Sequence, residues 1–178
     1  MSKSTIITLV SLVTLLSIAL GITIYTQKDA ATATADSFAA VHNDIVYTNL
    51  QGERVYMEDT TPAVRVVNSW ATWCPFCTKE LGDFDAVAAE FENANVEFIA
   101  VNRSERVRTI QSFLDSMPKL EHVKIWLDSA DAFYKKIGGF SMPETIVYDK
   151  YGEIVLHKRG PITEDEMRKI IVNTLDNQ

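Results

Sequence analysis

From Ile6 to Tyr25 the chain runs IITLVSLVTLLSIALGITIY without one charged side chain. Twenty residues at about 1.5 Å each span the roughly 30 Å hydrocarbon core of a bilayer. The run has no polar face, which sets it apart from an amphipathic core helix. An uncleaved anchor needs a run of this length. A cleavable signal peptide has an apolar region of about 7–15 residues, and Ala33-Thr34-Ala35 would supply its small-residue site. Length favours the anchor, so residues 1–26 are expected to be a single transmembrane helix. Lys3 and the amino terminus prefer the cytoplasmic side, which exports the remainder of the chain. Residues 27–40 (QKDAATATADSFAA) are small and polar and have no apolar period, as in a linker. One folded domain is expected over 41–178.

Within that domain the pattern alternates. Ile45-Val46-Tyr47 and Arg54-Val55-Tyr56 flank a turn containing Gln51-Gly52, which predicts a β-hairpin. Ala63 to Val67 is a β-branched run expected as a buried strand. From Pro75 to Glu92, Leu81, Phe84, Val87, Ala88 and Phe91 recur at helical spacing. Val96 to Val101 is strand-like again. Ser104 to Met117 predicts a helix with Ser104 as its cap and Pro118 as its stop. A strand follows at Val123 to Leu127, then a short helix from Ser129 to Ile137 ended by Gly138-Gly139. Phe133 and Tyr134 are expected in the core. Thr145 to Tyr148 and Glu153 to Leu156 flank the turn Asp149-Lys150-Tyr151-Gly152, a second hairpin. Thr163 opens the last helix with Glu166 three residues on, the capping-box pattern. Strands and helices in this order predict an α/β domain with a central mixed sheet flanked by helices on both faces. The β-α-β unit supplies parallel pairing and the late hairpin antiparallel pairing.

With 47% hydrophobic and 23% charged residues, this is the composition of a chain that folds. The formal charge is −7; residues 1–35 carry Lys3, Lys28 and Asp29, a net +1, so the rest carries −8. Such acidity excludes a nucleic-acid-binding surface and opposes docking on anionic lipid. It also serves plain solubility.

Only two cysteines are present, Cys74 and Cys77, so no structural disulfide framework is available. A Cys-x-x-Cys pair after a strand and at the start of a helix has a physical logic. Unpaired N–H groups and a partial positive charge at the helix end stabilise a thiolate there. Cys74 would occupy that end, with Pro75 in the first turn where its missing N–H costs nothing. Its pKa should fall below the free value of about 8.5, making it the attacking thiolate. Cys77 lies on the same helix face and would resolve the mixed disulfide. The competing readings are a metal site and two inert thiols. Zinc needs further ligands, and His42, His122 and His157 show no paired spacing. Redox chemistry without a metal or bound cofactor is the expectation.

The stretch Val67-Asn68-Ser69-Trp70-Ala71-Thr72-Trp73-Cys74-Pro75-Phe76-Cys77-Thr78-Lys79-Glu80 resembles the active-site segment of thioredoxins, and specifically of their membrane-tethered TlpA/ResA/CcmG branch. The resemblance runs over most of residues 41–178 and implies a thioredoxin-like fold with an added amino-terminal hairpin. Ser141-Met142-Pro143-Glu144-Thr145 falls where that family keeps a cis-proline. By that analogy Pro143 faces the disulfide and the backbone of Met142 pairs with an extended substrate. Without the analogy Pro143 reads as a plain strand-start proline. Where thioredoxin carries a buried aspartate this chain has Asn68, which cannot titrate. Members of the branch carry a glutamate at the place of Glu80, which would shuttle a proton for Cys77; an exposed helix charge is the plainer alternative. Trp70 and Trp73 are expected beneath and beside the site, with Trp73, Pro75, Phe76 and Met142 meeting substrate. Pro143-Glu144-Thr145 looks most like the CcmG-type members, with Glu144 a structural or specificity residue. Met142 departs from the threonine or alanine common in relatives, and Pro75-Phe76 is a pair found in glutaredoxins.

The resemblance implies a reductase on the outer face of a bacterial cell membrane. It would draw electrons from a membrane thiol carrier and reduce a disulfide-containing substrate protein, in relatives often an apocytochrome c or a copper-site protein. A disulfide oxidase or isomerase of the same fold is the nearest alternative. A metal-delivery or redox-sensing module is more distant, because the cysteines are two residues apart and His157 is placed on a strand away from them.

Overall fold

The computed structural model describes residues 45–177, together with Leu16 and Ser17. The expected membrane helix over 1–26, the linker over 27–40 and His42 therefore lie outside the described residues, those two positions apart. Among the described residues no helix is long and apolar enough to cross a membrane.

The element order is β1 (Tyr47–Asn49), β2 (Arg54–Val55), a 3-10 turn (Met57–Asp59), β3 (Val64–Trp70), α1 (Pro75–Glu90), β4 (Val96–Arg103), α2 (Val107–Leu114), β5 (Lys124–Asp128), α3 (Ala132–Lys136), β6 (Glu144–Tyr148), β7 (Ile154–Arg159) and α4 (Glu164–Asp176). The seven strands form one sheet in the order β2-β1-β5-β4-β3-β6-β7. The pairs β3–β4 and β4–β5 are parallel, and the remaining pairs are antiparallel. The mixed sheet covered by helices is thus present.

β3 is central, and all seven of its residues are buried. Period-two alternation divides its side chains between two cores. Val64, Val66 and Trp70 join Leu81, Phe84 and Val87 of α1 and Met167 and Ile171 of α4. Val67 faces the other way, with Ile99, Val101, Ile146 and Tyr148, against Tyr47, Met57, Trp126 and Phe133. A charged exception sits at the lower end of the sheet. Arg65 Nε donates to Glu97 at 2.6 Å, and Lys124 Nζ and the Thr60 hydroxyl also donate to that carboxylate. Burial would raise the Glu97 pKa, but Arg65 and Lys124 hold it below the usual carboxylate range.

β3 runs on to Trp70 and β7 to Arg159, beyond their expected ends, and α2 stops at Leu114 rather than Met117. Two further boundaries differ because of tertiary contacts. Ser104 does not cap α2: it has φ of 51°, its N–H donates to Asp128 O and its hydroxyl to Ser129 O. Tied to the end of β5, it cannot open the helix, which starts at Val107 after Arg106. The short helix begins at Ala132 rather than Ser129, because an Asp128 carboxylate oxygen accepts the Phe133 N–H at 2.7 Å and Asp131 is left-handed. The last helix opens as expected: Thr163 Oγ1 accepts the Glu166 N–H, and Glu166 Oε2 accepts the Thr163 N–H.

Candidate active site

β3 ends at Trp70, and four residues separate it from the first residue of α1. Cys74 has extended backbone (φ −99°, ψ 105°) and forms the N-cap, with Pro75 at the first helical position. Pro75 is tolerated because the first helical N–H has no intrahelical acceptor. Cys74 and Cys77 are joined in a disulfide with Cα atoms 5.3 Å apart. The Cys77 N–H donates to Cys74 Sγ at 3.2 Å. In the reduced protein this donor and the helix dipole favour charge on that sulfur. Access is unequal: Cys74 keeps 5% exposure and Cys77 has none. An incoming sulfur can therefore meet Cys74 but not Cys77.

Around the disulfide, Trp70 is fully buried, whereas Trp73 and Phe76 are 64% and 65% exposed and Pro75 is exposed with them. Trp73 thus flanks the site without packing under it. The turn leading to Cys74 is fastened by a residue that the sequence does not single out. Glu105 accepts from the Thr72 N–H (2.8 Å), the Thr72 hydroxyl (2.6 Å) and Asn102 Nδ2 (2.8 Å).

Glu80, one helical turn beyond Cys77, is 3% exposed, which removes the surface-charge reading. Its Oε1 accepts the Ile162 N–H at 2.7 Å and its Oε2 accepts from Asn68 Nδ2 at 3.0 Å. Burial pushes its pKa up to about 7, against the opposing effect of those two hydrogen bonds. Asn68 also donates to Thr145 Oγ1 at 3.0 Å. These two residues are paired across β3 and β6, and the pleat points both toward α1. An asparagine suits the place: with its amide turned over, it accepts from a protonated Glu80 and from the threonine hydroxyl.

The Met142–Pro143 peptide bond is cis. The β3–β6 register pairs Ser69 with Glu144, so one step further sets Pro143 opposite Trp70, at the end of the sheet that carries Cys74. Pro143 is buried and Met142 is half-buried against the α1-side core. The bend before them is held by Glu144, which is wholly buried. Its Oε1 accepts the N–H groups of Phe140 and Ser141, and its Oε2 lies 2.7 Å from His157 Nε2. Burial would raise the Glu144 pKa, but those two backbone donors and His157 hold it below the usual range. Tyr134, expected in the core, is half-buried, with its hydroxyl donating to Ser141 O at 2.9 Å.

Among the described residues no group of three or more His, Cys, Asp or Glu could hold a metal ion.

A mixed sheet, a Cys-x-x-Cys disulfide at a helix amino terminus and a cis-proline immediately before the neighbouring strand define a thioredoxin-like thiol–disulfide oxidoreductase. The redoxin family profile matches residues 22–175. The chain belongs to this family, and within it to the ResA type. It is 30% identical over 167 residues to the thiol-disulfide oxidoreductase ResA of Halalkalibacterium halodurans, covering 90% of each chain. The corresponding ResA of Bacillus cereus is 23% identical over 171 residues, covering 96% of this chain and 97% of that one. Among solved structures, StoA from Bacillus subtilis superposes with a TM-score of 0.60 at 23% identity, over 71% of this chain and 94% of that one. The exposed lipoprotein thioredoxin Etrx1 of Streptococcus pneumoniae gives 0.63 at 19% identity, over 75% and 98%. At these identities the structural likeness speaks to the fold.

Proposed function

We propose that the protein is an extracytoplasmic reductase of specific protein disulfides, working through a Cys74-Cys77 dithiol. The observation that carries this reading is the unequal exposure of the two cysteines at the helix amino terminus. The Cys74 thiolate attacks one sulfur of the partner's disulfide and releases the other as a thiolate, leaving a mixed disulfide. Cys77 then gives up its proton and attacks Cys74 Sγ. The partner leaves as a dithiol and the Cys74–Cys77 bond re-forms, two electrons having passed to the partner. Glu80 takes the Cys77 proton in this reading, which its position one turn away, its burial and its pKa near 7 support. Cis-Pro143 and Met142 present the backbone edge for the substrate, and Trp73, Pro75 and Phe76 form the rim around Cys74.

The reduction potential of the full chain in detergent, by equilibration against dithiothreitol or glutathione, tests the direction. A value near the roughly −270 mV of thioredoxin, or below it, fits a dedicated reductase refilled by a membrane thiol carrier. A value near the roughly −120 mV of a strong periplasmic oxidant would mean that the protein donates disulfides instead.

Residues 1–26 are read as the anchor that holds this domain on the outer face of the cell membrane, in keeping with their uncharged run and Lys3. The full chain should sediment with membranes through an alkaline wash, and protease added outside intact spheroplasts should degrade the domain. Release of a shortened chain into the medium would instead favour the signal-peptide reading.

A further inference from the structure

Phe140 is 85% exposed, yet the loop that carries it is held on both sides. From β6, buried Glu144 takes the Phe140 and Ser141 N–H groups on one oxygen, at 2.5 and 2.6 Å. From α3, the Tyr134 hydroxyl donates to the Ser141 carbonyl. Gly139 lies so close to the Tyr134 ring that a Cβ there would come within 2.4 Å of it. Arg103 sits 3.4 Å above the same ring and donates twice to Asp131, at 2.8 and 2.7 Å. The backbone at 139–141 is thus fixed by two independent supports, neither of which uses the phenyl ring.

An apolar side chain left in water on a fixed support gains by being covered, and little ordering opposes the gain. Both loop amides and the Ser141 carbonyl are already engaged, so what the loop offers a partner is chiefly the Phe140 ring. Phe140 stands three residues before cis-Pro143, at the end of the sheet that carries Cys74, where Trp73 and Phe76 are also exposed. Partly exposed aromatic side chains on rigid supports are the usual anchors of recognition surfaces.

We infer that Phe140 is a specificity-determining residue that receives a large apolar side chain lying within a few residues of the partner polypeptide's reactive cysteine. This rests on the oxidoreductase reading above and adds the class of substrate: cysteines set in apolar sequence are preferred to cysteines set in polar sequence. Met142, Trp73 and Phe76 act on the cysteine itself, whereas Phe140 reads its neighbourhood.

The test uses the full chain in detergent, with dithiothreitol returning the Cys74-Cys77 disulfide to the dithiol after each turnover, and short Ser/Gly peptides with one cysteine capped as a glutathione mixed disulfide. A single leucine is moved through the three positions on either side of the cysteine. At one or two positions leucine should raise kcat/KM about fivefold or more, mainly through KM. Phe140→Ser should erase the gain and Phe140→Tyr keep it, with glutathione disulfide handled equally by all three proteins. No gain at any position, or a gain that survives in Phe140→Ser, overturns the inference. Exchange is reversible, so the leucine preference is read in whichever direction the protein runs. A wrong redox direction would therefore overturn the reductase reading and leave Phe140's role standing.

Discussion

Cys74→Ser should reduce turnover of a peptide disulfide to background, a loss of at least about a thousandfold, as expected when a covalent nucleophile is removed. A serine hydroxyl has no accessible anion at neutral pH and cannot form the mixed disulfide. The helix amino terminus that favours a thiolate does not compensate, because the deficit is in the bond to be made. Cys77→Ser should behave differently. Cys74 remains able to attack, but nothing resolves the adduct, so the partner should accumulate as a covalent complex that dithiothreitol releases. Gel shift on non-reducing electrophoresis and mass spectrometry read this directly. The buried position of Cys77 sharpens the contrast, since outside thiols cannot readily take its place. Normal turnover in Cys77→Ser, or trapping by Cys74→Ser, would reverse or remove the assigned roles. The cross-link closes only a short loop, between positions three apart, so neither variant should unfold for want of it.

The second large effect is expected at Glu80. Its pKa in the folded protein is raised to about 7, by burial, from an ordinary 4.5. As pH rises from about 4.5, the unfolded chain releases this proton first while the folded chain keeps it. The unfolded state then binds fewer protons, so stability falls with pH until the folded carboxyl also ionises near 7. The total loss is about 3 kcal/mol between those limits. Glu80→Gln removes the titrating group and keeps an acceptor for the Ile162 N–H and a partner for Asn68. Denaturant unfolding of the oxidised proteins should therefore show the variant gaining on the wild type by about 3 kcal/mol from pH 4.5 to pH 8. In single-turnover reduction, the wild-type rate of product release should carry an inflection near neutral pH that Glu80→Gln lacks. Parallel stability curves would mean that Glu80 titrates as an ordinary carboxylate and is no proton carrier.

Much of this molecule is legible along the chain because local rules govern it. β3 and β4 announce themselves as β-branched runs, and α1 by its apolar recurrence. α4 is marked by the Thr163–Glu166 capping pair, and Cys74-Pro75-Phe76-Cys77 declares its chemistry by spacing. Each of these depends on residues a few positions apart. Helix ends set by distant partners are not legible in the same way. Ser104 has the composition of a cap but is tied to Asp128 and Ser129 across the sheet. Glu105, next to it, looks like a helix-start carboxylate and in fact fastens Thr72, 33 residues away.

The sequence by itself determined the redox pair, the order of elements and the uncharged segment over Ile6 to Tyr25, since each is written in contiguous residue types and their period. Only the tertiary structure decided which side chains share a dielectric and a hydrogen bond. It brought Glu80 under Ile162, set Asn68 beside Thr145 through the β3–β6 register, and buried Glu144 beneath the bend before Pro143. It also left Phe140 in water on that bend. Burial and long-range register are properties of the packed chain, and they turn a glutamate on a helix into an acid that titrates near pH 7.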